Sequence, residues 1–143
     1  MKNSMKIKIL ICGLPGSGKT ALAKKLKEQL GYAWFNADIV REQFQDWDFS
    51  LEGRLRQAKR MFNFCDGIDK SCIADFVAPT EEIRRIFDAD ITIWMNTIKE
   101  SKYPDTNQIF ETPKANIIIN DFSYNIEDII QSICICEDNL ILK

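Results

Sequence analysis

A chain of 143 residues suits a single domain, expected over residues 1–143, and leaves little room for a second. Apolar residues make up 45% and charged residues 28%, which predicts an ordinary soluble globular core. The formal net charge of -2, from 19 Lys+Arg against 21 Asp+Glu, supplies no global attraction to nucleic acid or to an acidic membrane. The sequence has no His, which excludes Ser-His and Cys-His nucleophilic catalysis. Its five cysteines, Cys12, Cys65, Cys72, Cys134 and Cys136, contain no C-x-x-C pair, which argues against the usual Cys/His zinc site. Set in apolar stretches, they are expected to be reduced, buried thiols of a cytoplasmic protein.

The first apolar run, Ile7 to Cys12, is too short for a signal-peptide core or a membrane span and predicts a strand buried on both faces. A Gly-rich turn follows, and then Leu22, Leu26 and Leu30 recur every fourth residue, on a helix that Gly31 can close. Tyr32 to Phe35 predicts a short strand, and Asp38 suits the N-cap of a second helix ending near Asp46. Ser50 can cap a third helix with Leu51, Leu55, Ala58, Phe62 and Cys65 as its apolar face. Ser71 to Phe76 predicts a third strand, Pro79 and Thr80 open a short helix, and Asp90 to Met95 predicts a fourth strand. Residues 97–113 are polar and contain two prolines, which predicts an irregular, mobile, lid-like segment near the site. Ala115 to Ile119 predicts a fifth strand. Asn125 caps a closing helix with Ile126, Ile129, Ile130 and Ile133 turned inward. This alternation predicts an α/β fold: a P-loop NTPase-type parallel sheet of about five strands with helices on both faces.

Gly13-Leu14-Pro15-Gly16-Ser17-Gly18-Lys19-Thr20 matches G-x-x-x-x-G-K-[ST] completely. Glycines permit the tight turn that points successive N–H groups into one concavity, and a helix N-terminus beneath them favours an anion. Lys19 supplies positive charge for β/γ-phosphates, and the Thr20 hydroxyl is placed to ligate Mg²⁺. A chance Gly-rich turn would not need an apolar strand before it and an amphipathic helix after it, and both are present. The motif specifies ATP or another NTP with Mg²⁺, and leaves the acceptor open.

In an open parallel sheet, ligands collect at the carboxyl ends of the strands. Asp38 and Arg41 follow the second strand and share a helix face. A carboxylate there can take an acceptor hydroxyl proton or hold a Mg²⁺-bound water, and the Arg fork can grip an anion. A capping Asp beside a solvated Arg is the plainer alternative. The third strand ends in Asp75, in the manner of a Walker-B carboxylate that orients Mg²⁺, and a plain strand-end Asp weighs evenly against that. Arg54, early in the third helix, is the basic residue best placed to reach ligand. Phe49, at a loop-to-helix junction, is a candidate stacking surface for a planar base. Arg84 and Arg85 form a further basic pair with no argument beyond charge.

Taken in order along the chain, these pieces resemble the adenylylsulfate kinase family. Asn36 to Arg41 is similar to its D-G-D-N-[VI]-R. Asp48-Phe49-Ser50 with Arg54 and Ala58-Lys59-Arg60 is similar to G-F-S-x-x-D-R-E-E-N-[VI]-R-R. Ser71 to Pro79 is similar to V-C-I-T-S-F-I-S-P, and Glu111-Thr112-Pro113 to the end of P-E-T-P. The resemblance implies that Asp38 is the acceptor-side acid, that Arg41 and Arg54 bind the anionic part of an acceptor nucleotide, and that Phe49 stacks on its base. It implies that Val77 and Ala78 line the acceptor pocket and that the chain can pair as a homodimer. The implied reaction moves the ATP γ-phosphoryl to the 3′-hydroxyl of adenosine 5′-phosphosulfate. Asn36 stands where the family has Asp, and Asp75 and Ala78 stand where it has Ser. The 97–113 segment is much shorter than the family's lid and lacks its K-G-F-T-G-like stretch. Two alternatives remain: a kinase for another acceptor, such as a different nucleotide or a hydroxymethylated base in DNA, and a non-catalytic nucleotide-binding module. Nucleic acid enters only as an acceptor, and no membrane association is expected.

Overall fold

Alternating apolar residues in short strands require cover on both sides, and the chain provides it. A computed structural model describes residues 6–142; the extreme ends of the expected 1–143 domain lie outside the described residues. Its elements are β1 (Lys8–Cys12), α1 (Lys19–Leu30), β2 (Ala33–Asn36), α2 (Ala37–Phe44), α3 (Leu51–Asp66), β3 (Cys72–Asp75), α4 (Glu81–Phe87), β4 (Ile91–Met95), α5 (Pro104–Ile109), β5 (Ile117–Ile119) and α6 (Ile126–Ile141). The strands form one parallel sheet in the order β2-β3-β1-β4-β5. The α/β P-loop architecture expected from the sequence is therefore present.

Ile9 and Ile11 of β1 point to one face, where Leu22 and Leu26 of α1 and Ile129 and Ile133 of α6 cover them. Leu10 and Cys12 point to the other, beneath Val40 of α2, Met61 of α3 and Phe87 of α4. Each fully buried branched or aromatic side chain contributes roughly 1.5–3 kcal/mol. The crossover from β1 through α1 to β2 passes over β3, so the strand order reverses at β1 and a crevice opens beyond the carboxyl ends of β1 and β3.

Several local expectations change. Asn36, not Asp38, caps α2: its side chain accepts from the Ile39 N–H at 3.1 Å, which leaves Asp38 inside the first turn. The helix starts earlier because β2 runs straight into it. The buried face of α3 is Gly53, Gln57, Ala58, Met61 and Cys65, while Leu51 is exposed at the first turn. The 97–113 segment is not irregular throughout, since Pro104 opens the short helix α5 at its N1 position. Ser50, Thr80 and Asn125 cap α3, α4 and α6, and left-handed Gly31 closes α1, as the sequence predicts.

The cysteines also differ from expectation. Cys65 and Cys72 form a disulfide between the end of α3 and the start of β3, and Cys134 is exposed, so the five are not all reduced, buried thiols. Burial pushes the Cys12 thiol up to about 11, with Arg84 and Lys19 acting the other way. Among the described residues, no helix is long and apolar enough to cross a membrane.

Candidate active site

The turn between β1 and α1 takes its shape from three glycines with positive φ, of which Gly16 (86°) and Gly18 (94°) lie well inside the left-handed region. A side chain at Gly18 would press on the Phe122 ring, so the turn is shaped by packing as well as by torsion. Among the described residues no side chain caps α1, and its first N–H groups remain available to an anion. Lys19 is 9% exposed and donates to the Leu14 carbonyl at 3.0 Å, curling over the loop. Burial pushes its ammonium below the ordinary lysine value, while Asp75, Cys12 and Asp38 pull it back. The Ser17 hydroxyl is buried in the same turn with no hydrogen-bond partner among the described residues. A buried cation, an orphaned hydroxyl and uncapped helix N–H groups together fit a polyphosphate.

Beside the loop, Thr20 Oγ1 donates to Asp75 Oδ1 at 3.3 Å. Burial raises the Asp75 carboxyl above its usual value, against hydrogen bonds from Trp34 and Asn36, the Lys19 charge and a hydrogen bond from Thr20. Thr20 and Asp75 are hard oxygen donors and suit Mg²⁺, which takes one or two protein oxygens and completes its shell with phosphate and water. Among the described residues, no three His, Cys, Asp or Glu side chains converge as an all-protein metal cage.

The phosphate loop opens into a cleft of about 970 Å³. Its lining includes Asp38, Arg41, Phe49, Arg54, Val77 and Ala78, so these residues, expected from the sequence on the acceptor side, share one space with Lys19, Thr20 and Asp75. Pro15, Gly16 and Gly18 also line it, whereas Gly13, Leu14 and Ser17 shape the turn from behind. Asp38 is exposed and acts electrostatically on both Lys19 and Arg41. Arg41 is buried; its Nη1 donates to the Asp46 and Asp48 carbonyls at 3.0 and 3.1 Å, and its guanidinium lies 4.2 Å over the Phe49 ring. Arg54 donates through Nε to the Phe49 carbonyl at 2.9 Å and through Nη2 to Thr106 Oγ1 at 3.1 Å. Burial lowers the proton affinity of both guanidines, so each is a partly desolvated cation with N–H groups to spare. Phe49 thus serves first as a cation–π platform for Arg41, and one of its faces is already covered.

Sequence reasoning missed several residues. Trp34 donates from Nε1 to Asp75 Oδ2 at 2.7 Å, and the Asn36 amide bridges Asp75 and Thr20. Their common position on alternate residues of β2 is readable, but which strand lies alongside is not. Trp47, Gln57, Tyr103 and Thr106 line the cleft too. Thr97 Oγ1 donates to the Ser17 carbonyl at 2.7 Å, tying the 97–113 segment to the phosphate loop. Arg84 is 8% exposed and holds three carbonyls, those of Ala78, Pro79 and Glu111.

The fold matches solved structures across nearly all of the chain. An APS kinase, CysC of Mycobacterium tuberculosis in complex with AMPPNP and APS, superposes with a TM-score of 0.75 at 15% identity, covering 95% of this chain and 99% of that one. A shikimate kinase from Acinetobacter baumannii in complex with shikimate has a TM-score of 0.63 at 20% identity, covering 97% of each chain. A gluconokinase from Sinorhizobium meliloti 1021 has a TM-score of 0.65 at 12% identity, covering 96% of this chain and 95% of that one. No curated protein matches by sequence. At these identities the structural likeness establishes a shared P-loop kinase-type fold. A family model described as an AAA domain matches residues 8–119, which contain the phosphate loop and the Asp75 strand, and the chain belongs to that family.

Proposed function

We propose that this protein is an ATP-dependent kinase that transfers the γ-phosphoryl group of ATP to a hydroxyl of a small anionic acceptor, with the 3′-hydroxyl of adenosine 5′-phosphosulfate as the first acceptor to be assigned. The observation that carries this reading is one cleft lined both by the polyphosphate cradle and by Asp38, Arg41 and Arg54. Two partly desolvated arginines lining the same cleft offer an anionic acceptor group a place to bind.

The residues divide the work. The loop amides and Lys19 bind the β- and γ-phosphates and draw charge toward the leaving oxygen. Thr20 and Asp75 would hold Mg²⁺, whose charge screens the phosphate oxygens when bound. Arg41 and Arg54 orient the acceptor through its anionic group, Arg41 being braced by Phe49 and by the carbonyls of the 46–48 turn. Asp38 holds the acceptor hydroxyl and takes its proton as the oxygen–phosphorus bond forms and ADP leaves. Val77 and Ala78 bound the acceptor space, with Ala78 in the left-handed region at φ 45°.

A second acceptor class is favoured by a specific observation. Trp47, Phe49 and Tyr103 at the cleft are 50%, 51% and 49% exposed, so the 97–113 segment does not enclose that side. An acceptor larger than a mononucleotide, such as a hydroxymethylated base in DNA, has room there. The test is ADP release from ATP-Mg²⁺ with adenosine 5′-phosphosulfate, then with a panel of nucleotides and modified DNA. Tight nucleotide binding without acceptor-stimulated ADP would favour a non-catalytic module. Asp38→Ala is expected to lower acceptor-dependent turnover by roughly 10²- to 10⁴-fold, the usual share of a general base. Unchanged turnover would remove Asp38 from this role.

A further inference from the structure

Residues 34 and 36 stand on one face of β2, and the register with β3 sets Asn36 directly beside Asp75. Trp34 Nε1 donates to Asp75 Oδ2 at 2.7 Å. Asn36 Nδ2 lies 3.2 Å from each Asp75 oxygen and 3.2 Å from Thr20 Oγ1. The Asn36 amide is not free to turn round. Its Oδ1 accepts from the Ile39 N–H as the cap of α2, which commits the NH₂ side to Asp75. An indole N–H can only donate, so Trp34 can engage only an acceptor oxygen. With Thr20 donating to Oδ1, both Asp75 oxygens are engaged from two sides.

We propose that Trp34 and Asn36 are positioning residues that hold the Asp75 carboxylate toward the Thr20 hydroxyl, and so set how strongly a divalent cation enhances nucleotide binding. The inference rests on the nucleotide end of the proposed site and is independent of the acceptor. A purely structural role, packing for Trp34 and capping for Asn36, predicts something different: a change in melting temperature without a change in cation dependence.

Two conservative variants separate these roles. Trp34→Phe keeps a large ring and removes the N–H. Asn36→Ser keeps a side-chain oxygen able to cap α2 and removes the amide donor. The experiment measures ADP affinity by calorimetry over a series of Mg²⁺ concentrations and in EDTA, with thermal melts of the ligand-free proteins alongside. Each variant is expected to raise the Mg²⁺ concentration for half-maximal enhancement by roughly tenfold, the scale of lost outer-shell contacts, while ADP affinity in EDTA stays at the wild-type value. Asp75→Asn serves as the reference and should abolish the enhancement. A wild-type Mg²⁺ midpoint in Asn36→Ser, which retains its cap and carries the test should Trp34→Phe fail to fold, overturns the proposal whatever its melting temperature. A wild-type protein that binds no ADP with or without Mg²⁺ overturns the nucleotide site itself, whereas one whose ADP affinity is the same in EDTA as with Mg²⁺ overturns this inference alone.

Discussion

Arg84→Met removes one guanidinium and three bonds. Nε donates to the Ala78 carbonyl at 2.8 Å, and Nη2 donates to the Pro79 and Glu111 carbonyls at 3.1 and 2.6 Å. These bonds tie the segment after β3 to the end of the 97–113 segment, where the Glu111 N–H also donates to the Pro79 carbonyl at 2.7 Å. Hydrogen bonds from a charged donor contribute roughly 1.5–3 kcal/mol each, but they share one desolvated cation whose Nη1 is buried without a partner among the described residues. Burying an apolar Met removes that desolvation cost, so the net loss is about 3 kcal/mol. Unfolding entropy of about 2.1 cal/mol/K per residue gives about 0.3 kcal/mol/K for a chain of this length, and the melting temperature should fall by about 10 °C. Differential scanning calorimetry measures this. Steady-state kinetics should show a raised KM for the acceptor with the KM for ATP unchanged, because the wall at Val77 and Ala78 loosens while the phosphate loop does not. A melting temperature within about 2 °C of wild type would refute the assignment of the three bonds as a clamp.

Three further outcomes follow from the same structure. Lys19→Ala should lower turnover by roughly an order of magnitude or more through lost phosphate stabilisation, read by ADP release at saturating acceptor; an unaffected rate would contradict its place over the loop. Gly53→Ala replaces a poor helix former with the best one, yet a Cβ there would overlap the Asp48 carbonyl oxygen and displace the turn that braces Arg41. It should therefore lower the melting temperature, and a rise would mean that the turn yields freely. Hydrogen bonds from Arg56, then from the Asp48 N–H, and from Arg60, hold the Asp46 carboxyl well below the usual carboxylate range. A depressed native value adds stability that is present above the ordinary carboxylate pKa of about 3.9 and is lost as pH falls toward the native one. Urea melts from neutral pH to below pH 3 should show this acid loss, with a shallower slope for Asp46→Asn; parallel slopes would exclude the pair.

How far the site can be read from the chain depends on sequence distance. The phosphate loop is eight consecutive residues whose torsions, charge and following helix are set locally, so Gly13 to Thr20 is legible without any knowledge of the fold. The caps Ser50, Thr80 and Asn125 and the closing Gly31 are likewise local choices. The sequence alone does not separate Asn36 from Asp38 as the cap of α2, because both are good capping residues and only the length of β2 decides between them. The order β2-β3-β1 alone sets Asn36 and Trp34 against Asp75, across a separation of 39 and 41 residues. Nothing local in α4 marks Arg84 as the tie between Ala78 and Glu111, because a charge run is solvated unless packing buries it. The Cys65–Cys72 bridge has the same origin, since α3 must turn back to deliver β3 into the sheet before the two sulfurs meet. The phosphate-loop motif is thus written in neighbouring residues, whereas the support of the Asp75 carboxylate and the Arg84 tie exist only once parallel strands and their crossovers bring distant donors within hydrogen-bond reach.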